Sequence, residues 1–147
     1  MKSLALYASS LFILTLFTNC GSNKDLQERA PAQFQEVYYT PNEDGMNLFI
    51  PVAVIQDEII SFESVYFRGM KSDLVQDEKQ TNLYSANFST GTGDKIMDID
   101  PRKENANKAP QKPEKSPFEI EDDEAILVYK QNGDTKYYKL TGIEERN

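Results

Sequence analysis

The chain has 147 residues, room for one domain, with 39% hydrophobic residues, 27% charged residues and a formal net charge of −8. It holds eight Tyr, eight Phe, a single Cys and neither His nor Trp. Without His there is no Ser-His-Asp or Cys-His relay, no imidazole metal ligand and no ordinary side-chain switch near neutral pH; one Cys makes neither an internal disulfide nor a Cys-based zinc site; and the acidic balance disfavours nucleic acid and anionic lipid as partners.

Residues 1–20 read MKSLALYASSLFILTLFTNC. Lys2 supplies a short positive start, and Leu4 to Phe17 is an apolar stretch broken at Ser9 and Ser10. Crossing a bilayer takes about 20 apolar residues, so this shorter stretch reads as the core of a secretory signal. Its end, Phe17-Thr18-Asn19-Cys20, resembles the lipobox of bacterial lipoproteins. Phe17 stands where that box usually has Leu, and Asn19 where it usually has Gly, Ala or Ser, a relaxed pattern similar to Bacteroidetes-type lipoproteins. The resemblance implies that 1–19 is a lipoprotein signal peptide and that Cys20 is the lipidation site, carrying diacylglycerol and palmitate-type acyl chains. Two or more such chains anchor a protein stably where one does not. The alternative is an ordinary cleaved signal followed by an incidental Cys. Residues 20–32 then form the lipidated Cys and a flexible tether, GSNKDLQERAPA, polar and ending near Pro31.

The remaining residues, 33–147, are expected to fold as one all-β domain. Phe34 to Thr40 is β-branched and aromatic, with Pro41 closing it, and Asn42 to Gly45 is a turn. Met46 to Ile50 follows as a strand that Pro51 makes an edge or ends, with Val52 to Ile55 resuming it. Asp57 to Phe62 reads equally as a strand or a helical turn. Ser64 to Arg68 alternates, with Gly69 as a break, and Leu74-Val75 is a short run. Leu83 to Phe88 places Tyr84, Ala86 and Phe88 on one face. Lys95 to Ile99 is a further candidate strand. The strongest local signal is Asn132-Gly133 between AILVYKQ and DTKYYKL. Asn-Gly favours a type I′ turn, which pairs Gln131 with Asp134, Val128 with Tyr137 and Leu127 with Tyr138. Short strands at this spacing suggest a small β-sandwich, with a barrel as the alternative.

Residues 99–117, IDPRKENANKAPQKPEKSP, interrupt the pattern as a Pro-rich loop, read as a solvated excursion or a partner-binding segment. Two acidic clusters lie at its ends: Asp94, Asp98 and Asp100, which run into its start and are weak metal candidates, and Glu119, Glu121, Asp122, Asp123 and Glu124, which follow it. Neither has calcium-loop spacing, and a solvated acidic face is the simpler reading. The strings GMNLFIP, SVYFRGMK and PFEIEDDEAILVYKQNGDTKYYKL resemble a group of small Bacteroidetes-type lipoproteins. That group has no assigned activity, so the resemblance implies location and domain extent and no site residues. No cofactor and no catalytic residue is expected. The leading expectation is a non-enzymatic binding or accessory module, lipid-anchored in the cell envelope at the outer membrane. Its expected partners are the membrane, reached through the acyl chains, and an envelope protein or glycan, with no nucleic acid. Two rivals are a small-ligand or carbohydrate-binding module using exposed Tyr38, Tyr39, Tyr66, Tyr84, Tyr137 or Tyr138, and a carboxylate-based hydrolase.

Overall fold

A computed structural model describes residues 24–55, 59–91 and 111–147. The stretch 1–19 read as a signal peptide, Cys20, the candidate strand 95–99 and Asp94, Asp98 and Asp100 lie outside the described residues. Ten strands are present among those described: β1 (Ala32–Phe34), β2 (Tyr38–Asn42), β3 (Gly45–Ile55), β4 (Ile60–Phe67), β5 (Met70–Asp73), β6 (Val75–Gln76), β7 (Leu83–Ser89), β8 (Ala125–Gln131), β9 (Asp134–Leu140) and β10 (Glu144–Glu145). One sheet has the order β10-β2-β3-β7-β6, with β1 added to the end of β3; the other is β5-β4-β8-β9. The two sheets pack face to face without closing into a barrel, so the sandwich expectation holds.

The core follows from the alternation of side chains along each strand. Leu48, Ile50 and Val52 of β3 and Ala86 and Phe88 of β7 point inward from the first sheet. Val65 and Phe67 of β4, with Ala125, Leu127 and Tyr129 of β8, meet them from the second. The β8–β9 hairpin forms as expected, with Leu127 opposite Tyr138 and Val128 opposite Tyr137. Asn132 and Gly133 have φ of 55° and 88°, the left-handed values a type I′ turn requires.

Two strand expectations change. The run read as one strand from Phe34 to Thr40 is two, because Phe34 and the pair Val37 and Tyr39 all pack on the core. A period of two cannot turn residues 34 and 37 to the same side, so the chain breaks at 35–37 and the register shifts between Gln33 and Phe34. Pro51 neither ends β3 nor sits on an edge. Its carbonyl accepts from Gln35 N at 2.9 Å, so its missing N–H faces the gap between β1 and β2, where no ladder bond is lost. Pro41 likewise lies within β2. Tyr39 offers its carbonyl to Arg146 N at 2.8 Å, and Pro41, two residues on, turns the same way, past the end of β10.

Gly45 stands opposite Ser89 where β3 meets β7. A Cβ there would overlap the Phe88 carbonyl oxygen and lie 2.9 Å from Thr90 N, both rigid backbone. Gly45→Ala is therefore expected to cost about 1–3 kcal/mol, the range for forced overpacking, read as a lower midpoint in chemical denaturation.

The second sheet is buried on both faces. Its outer side carries Tyr66, Ile126 and Val128, covered by Leu26, Phe118 and Ile120 with Tyr137 beside them. Residues 24–32, part of the stretch read as a flexible tether, thus lie against the fold. Gln27 N donates to Tyr137 O at 2.8 Å, and Leu26 bridges Tyr137 in parallel. Leu26 is the one large apolar side chain in that stretch, and the outer face supplies the apolar surface that buries it.

Candidate functional site

The strands give the sandwich two distinct ends. The near end holds the close of β3, the start of β4 at Ile60 and the β8–β9 turn, with Ile60 opposite Gln131. The bridge between Leu26 and Tyr137 is parallel, so the chain arriving from residue 24 runs alongside the start of β9 from this same end. The far end holds the β2–β3 and β4–β5 turns and the close of β7.

At the far end Arg68 and Gly69 form the β4–β5 turn with φ of 48° and 76°. A non-glycine residue in this region costs about 1–3 kcal/mol and persists where its surroundings hold it. Arg68 is held on three sides. Its Nε donates to the Asp122 carbonyl at 3.2 Å, its guanidinium donates to Tyr39 Oη at 3.0 Å, and the same group lies 4.4 Å above the centre of the Tyr39 ring. Tyr39 Oη in turn donates to Glu145 Oε2 at 2.7 Å. That hydrogen bond, followed by burial, raises the Tyr39 pKa above its ordinary value, with Arg68 opposing, so the phenol remains a neutral donor at physiological pH. A shallow hollow of about 390 Å³ beside this turn is lined by Arg68, Gly69, Ile120, Glu121 and Asp122.

The acidic run beside it does not converge on a point. Glu124 Oε2 accepts from Lys139 Nζ at 2.8 Å and from Glu121 N at 3.0 Å, which together hold its carboxyl below the usual range. Asp123 contributes its backbone carbonyl to Ile143 N at 3.0 Å, as Asp122 does to Arg68. Among the described residues no three His, Cys, Asp or Glu side chains are grouped to share a metal ion.

The Pro-rich excursion also leaves from the far end. Gln111 N donates to the Ser89 carbonyl at 3.1 Å, and Gln111 Nε2 to the Lys71 carbonyl at 3.1 Å, so the two stems meet. Ser89 Oγ and Gln111 Oε1 are buried there without a hydrogen-bond partner among the described residues. Glu114 Oε1 accepts from Tyr66 Oη at 3.3 Å and pairs with Lys71 Nζ at 3.4 Å. The loop expected over 99–117 therefore includes, at 111–117, a stretch bonded to the second sheet. The remainder, 99–110, lies outside the described residues.

The six tyrosines considered as a stacking platform are dispersed. Tyr39 and Tyr66 are buried, and Tyr38, Tyr84, Tyr137 and Tyr138 are half-buried. Tyr84 meets Phe62 edge-on, Tyr138 stacks on Phe34, and Tyr137 lies under Phe118. Tyr38 stacks on Phe49 on the open face of the first sheet, with the Arg146 guanidinium 4.2 Å above its ring. None of the six is an exposed ring free to receive a sugar.

Arg68 went unnoticed in the sequence beyond the break at Gly69. A signal was present: SVYF and MKSD are two strand-like runs separated by two residues, a hairpin spacing that places Arg at a left-handed position. Comparison with known proteins gives no matching family model, no matching curated protein and no matching solved structure.

Proposed function

We propose that this chain is a lipid-anchored envelope protein of the Bacteroidetes-type lipoprotein kind, held at Cys20, whose sandwich acts by binding and turns its far end toward a partner protein. The observation that carries this reading is polarity. The described chain from residue 24 runs parallel to β9, from the near end toward its middle, while Ser89 and Gln111, the stems of the Pro-rich excursion, the hollow beside Arg68 and the acidic turn all belong to the far end. A chain tied down at one end presents the other to the surroundings. Pro-rich segments lose little conformational entropy on binding, which suits them to recognition.

The test uses the full chain and a form with residues 93–109 replaced by a short Gly-Ser link. Because Ser89 and Gln111 already touch, the shortened form is expected to fold and to be more stable by about 1 kcal/mol, from the smaller closure entropy. Crosslinking in intact cells is expected to join the full chain to an envelope protein and to fail with the shortened form. Equal crosslinking by both forms removes the far-end reading. Failure of palmitate to label the full chain removes the anchor.

A further inference from the structure

The β2–β3 turn and the close of β7 bring a set of oxygen-bearing side chains together at the far end. In register, Asn42 stands opposite Gly45 and Gly45 opposite Ser89; one row further, Thr40 stands opposite Asn47 and Asn47 opposite Asn87. Leu48, Ala86 and Phe88 enter the core, so the alternation of each strand turns Asn47, Asn87 and Ser89 to the outer face of the first sheet. Gly45 adds no side chain to its row. A hollow of about 290 Å³ is lined by Asn42, Glu43, Asp44, Asn87 and Ser89. The turn beside it is fixed: Asp44 N donates to Asn42 Oδ1 at 3.0 Å, and the Asp44 carbonyl accepts from Thr90 N at 2.8 Å and from Thr90 Oγ1 at 3.2 Å. Ser89 is only 9% exposed, and its Oγ has no hydrogen-bond partner among the described residues.

The geometry points to a calcium site in this hollow, held by the Glu43 and Asp44 carboxylates with the side-chain oxygens of Asn42, Asn87 and Ser89. The inference stands on the fold alone and needs neither the anchor nor a partner protein. Two carboxylates by themselves make an ordinary solvated turn, and the buried hydroxyl is what sets this one apart. A hydroxyl that has left water without gaining a partner is costly, and a cation in the hollow supplies the partner. The lining offers oxygen only, with no His, Cys, Lys or Arg, which suits a hard cation and neither zinc nor an anion. Among the described residues no ion pair neutralises Glu43 or Asp44, so their adjacent charges repel until a divalent ion bridges them. Asn87 Nδ2 donates to Asn47 Oδ1 at 2.6 Å, which leaves Asn87 Oδ1 to coordinate. Calcium takes about six to eight oxygens in a flexible shell completed by water, whereas magnesium demands a near-ideal octahedron. Two carboxylates at an exposed turn put the affinity in the weak class, about 10⁻⁴–10⁻³ M. Bound calcium ties the β2–β3 turn to the close of β7, from which the Pro-rich excursion leaves.

The test uses the full chain in detergent, freed of divalent ions by chelation. Calcium chloride is titrated by calorimetry, and urea denaturation is followed with and without it. The expected result is saturable binding of one ion, a higher urea midpoint with calcium, and magnesium binding weaker by at least about tenfold. Asp44→Asn is expected to weaken calcium binding by at least about tenfold, with Glu43→Gln as a second variant that removes a charge. Ser89→Ala is expected to bind calcium more weakly by about threefold or more, while its calcium-free midpoint stays level or rises, because the change removes a buried group that had no partner. A purely structural role for Ser89 does not produce those opposite effects. Asp122→Asn, in the acidic run, is expected to leave binding unchanged. Absence of saturable binding up to about 10 mM calcium overturns the site. Binding that survives both Asp44→Asn and Ser89→Ala, or that Asp122→Asn removes, puts the ion elsewhere and overturns it. Equal responses to calcium and magnesium mean unspecific charge screening and overturn it as well.

Discussion

Replacing Cys20 with Ser is expected to abolish palmitate labelling. In a form whose residues 1–19 are exchanged for an ordinarily cleaved secretory leader, it is expected to move the protein wholly from the membrane fraction to the soluble one. The size of the effect follows from chain chemistry. Each buried methylene contributes about 0.8 kcal/mol, so two or three acyl chains make dissociation negligible. Ser offers no sulfur for the thioether. No helix among the described residues is long and apolar enough to cross a membrane. Cell fractionation with the labelled parent alongside measures the shift. A substituted, leader-cleaved protein that stays with the membrane would mean that another element holds it.

The second large effect is on stability. Phe67→Ala is expected to destabilise the sandwich by about 3–5 kcal/mol, a large share of the 5–15 kcal/mol that holds a typical domain. Phe67 is fully buried and belongs to the second sheet, yet its ring meets Tyr39 at 5.6 Å and Phe88 at 6.0 Å, both on the first. Truncation leaves a cavity between layers that rigid strands cannot close. It also removes the ring beneath Arg68, whose guanidinium lies 5.2 Å from its centre, so the strained turn at the far end loses support. Urea denaturation measures the loss, and Phe67→Leu, which keeps most of the volume, should lose clearly less. A loss under about 1 kcal/mol would show that the inter-sheet contact is not what holds the layers.

Hydrophobic alternation and turn chemistry made much of the fold readable. The Asn132-Gly133 hairpin emerged with its register because two residues that accept positive φ sit between β-forming runs. The inward face of β7 followed from the period of two. The five successive buried residues of β8, Ala125 to Tyr129, are an unbroken apolar run, the pattern of a strand covered on both sides, but in the sequence the run served only as one arm of the hairpin. What covered its outer side was not visible, because Phe118, Ile120 and Leu26 stand in otherwise polar stretches with no period of their own. Likewise Pro41 and Pro51 read as strand stops, since a local rule cannot know which neighbour a missing N–H would have faced.

The candidate site divides in the same way. Lipidation at Cys20 is proposed from the residues around it, since a lipobox is a short contiguous string, and the functions excluded by composition needed only a count of His and Cys. The Arg68–Tyr39–Glu145 network joins positions 29 and 106 residues apart, and no local pattern anticipates it. Most strand runs and the Asn132-Gly133 turn geometry are short-range properties carried by neighbouring residues, so the chain order alone determined them. Which segment covers the outer face of the second sheet, which side chains meet across the layers and which cations meet which carboxylates depend on how two sheets stack. That stacking is set by burial summed over the whole domain, so only the assembled fold decides it.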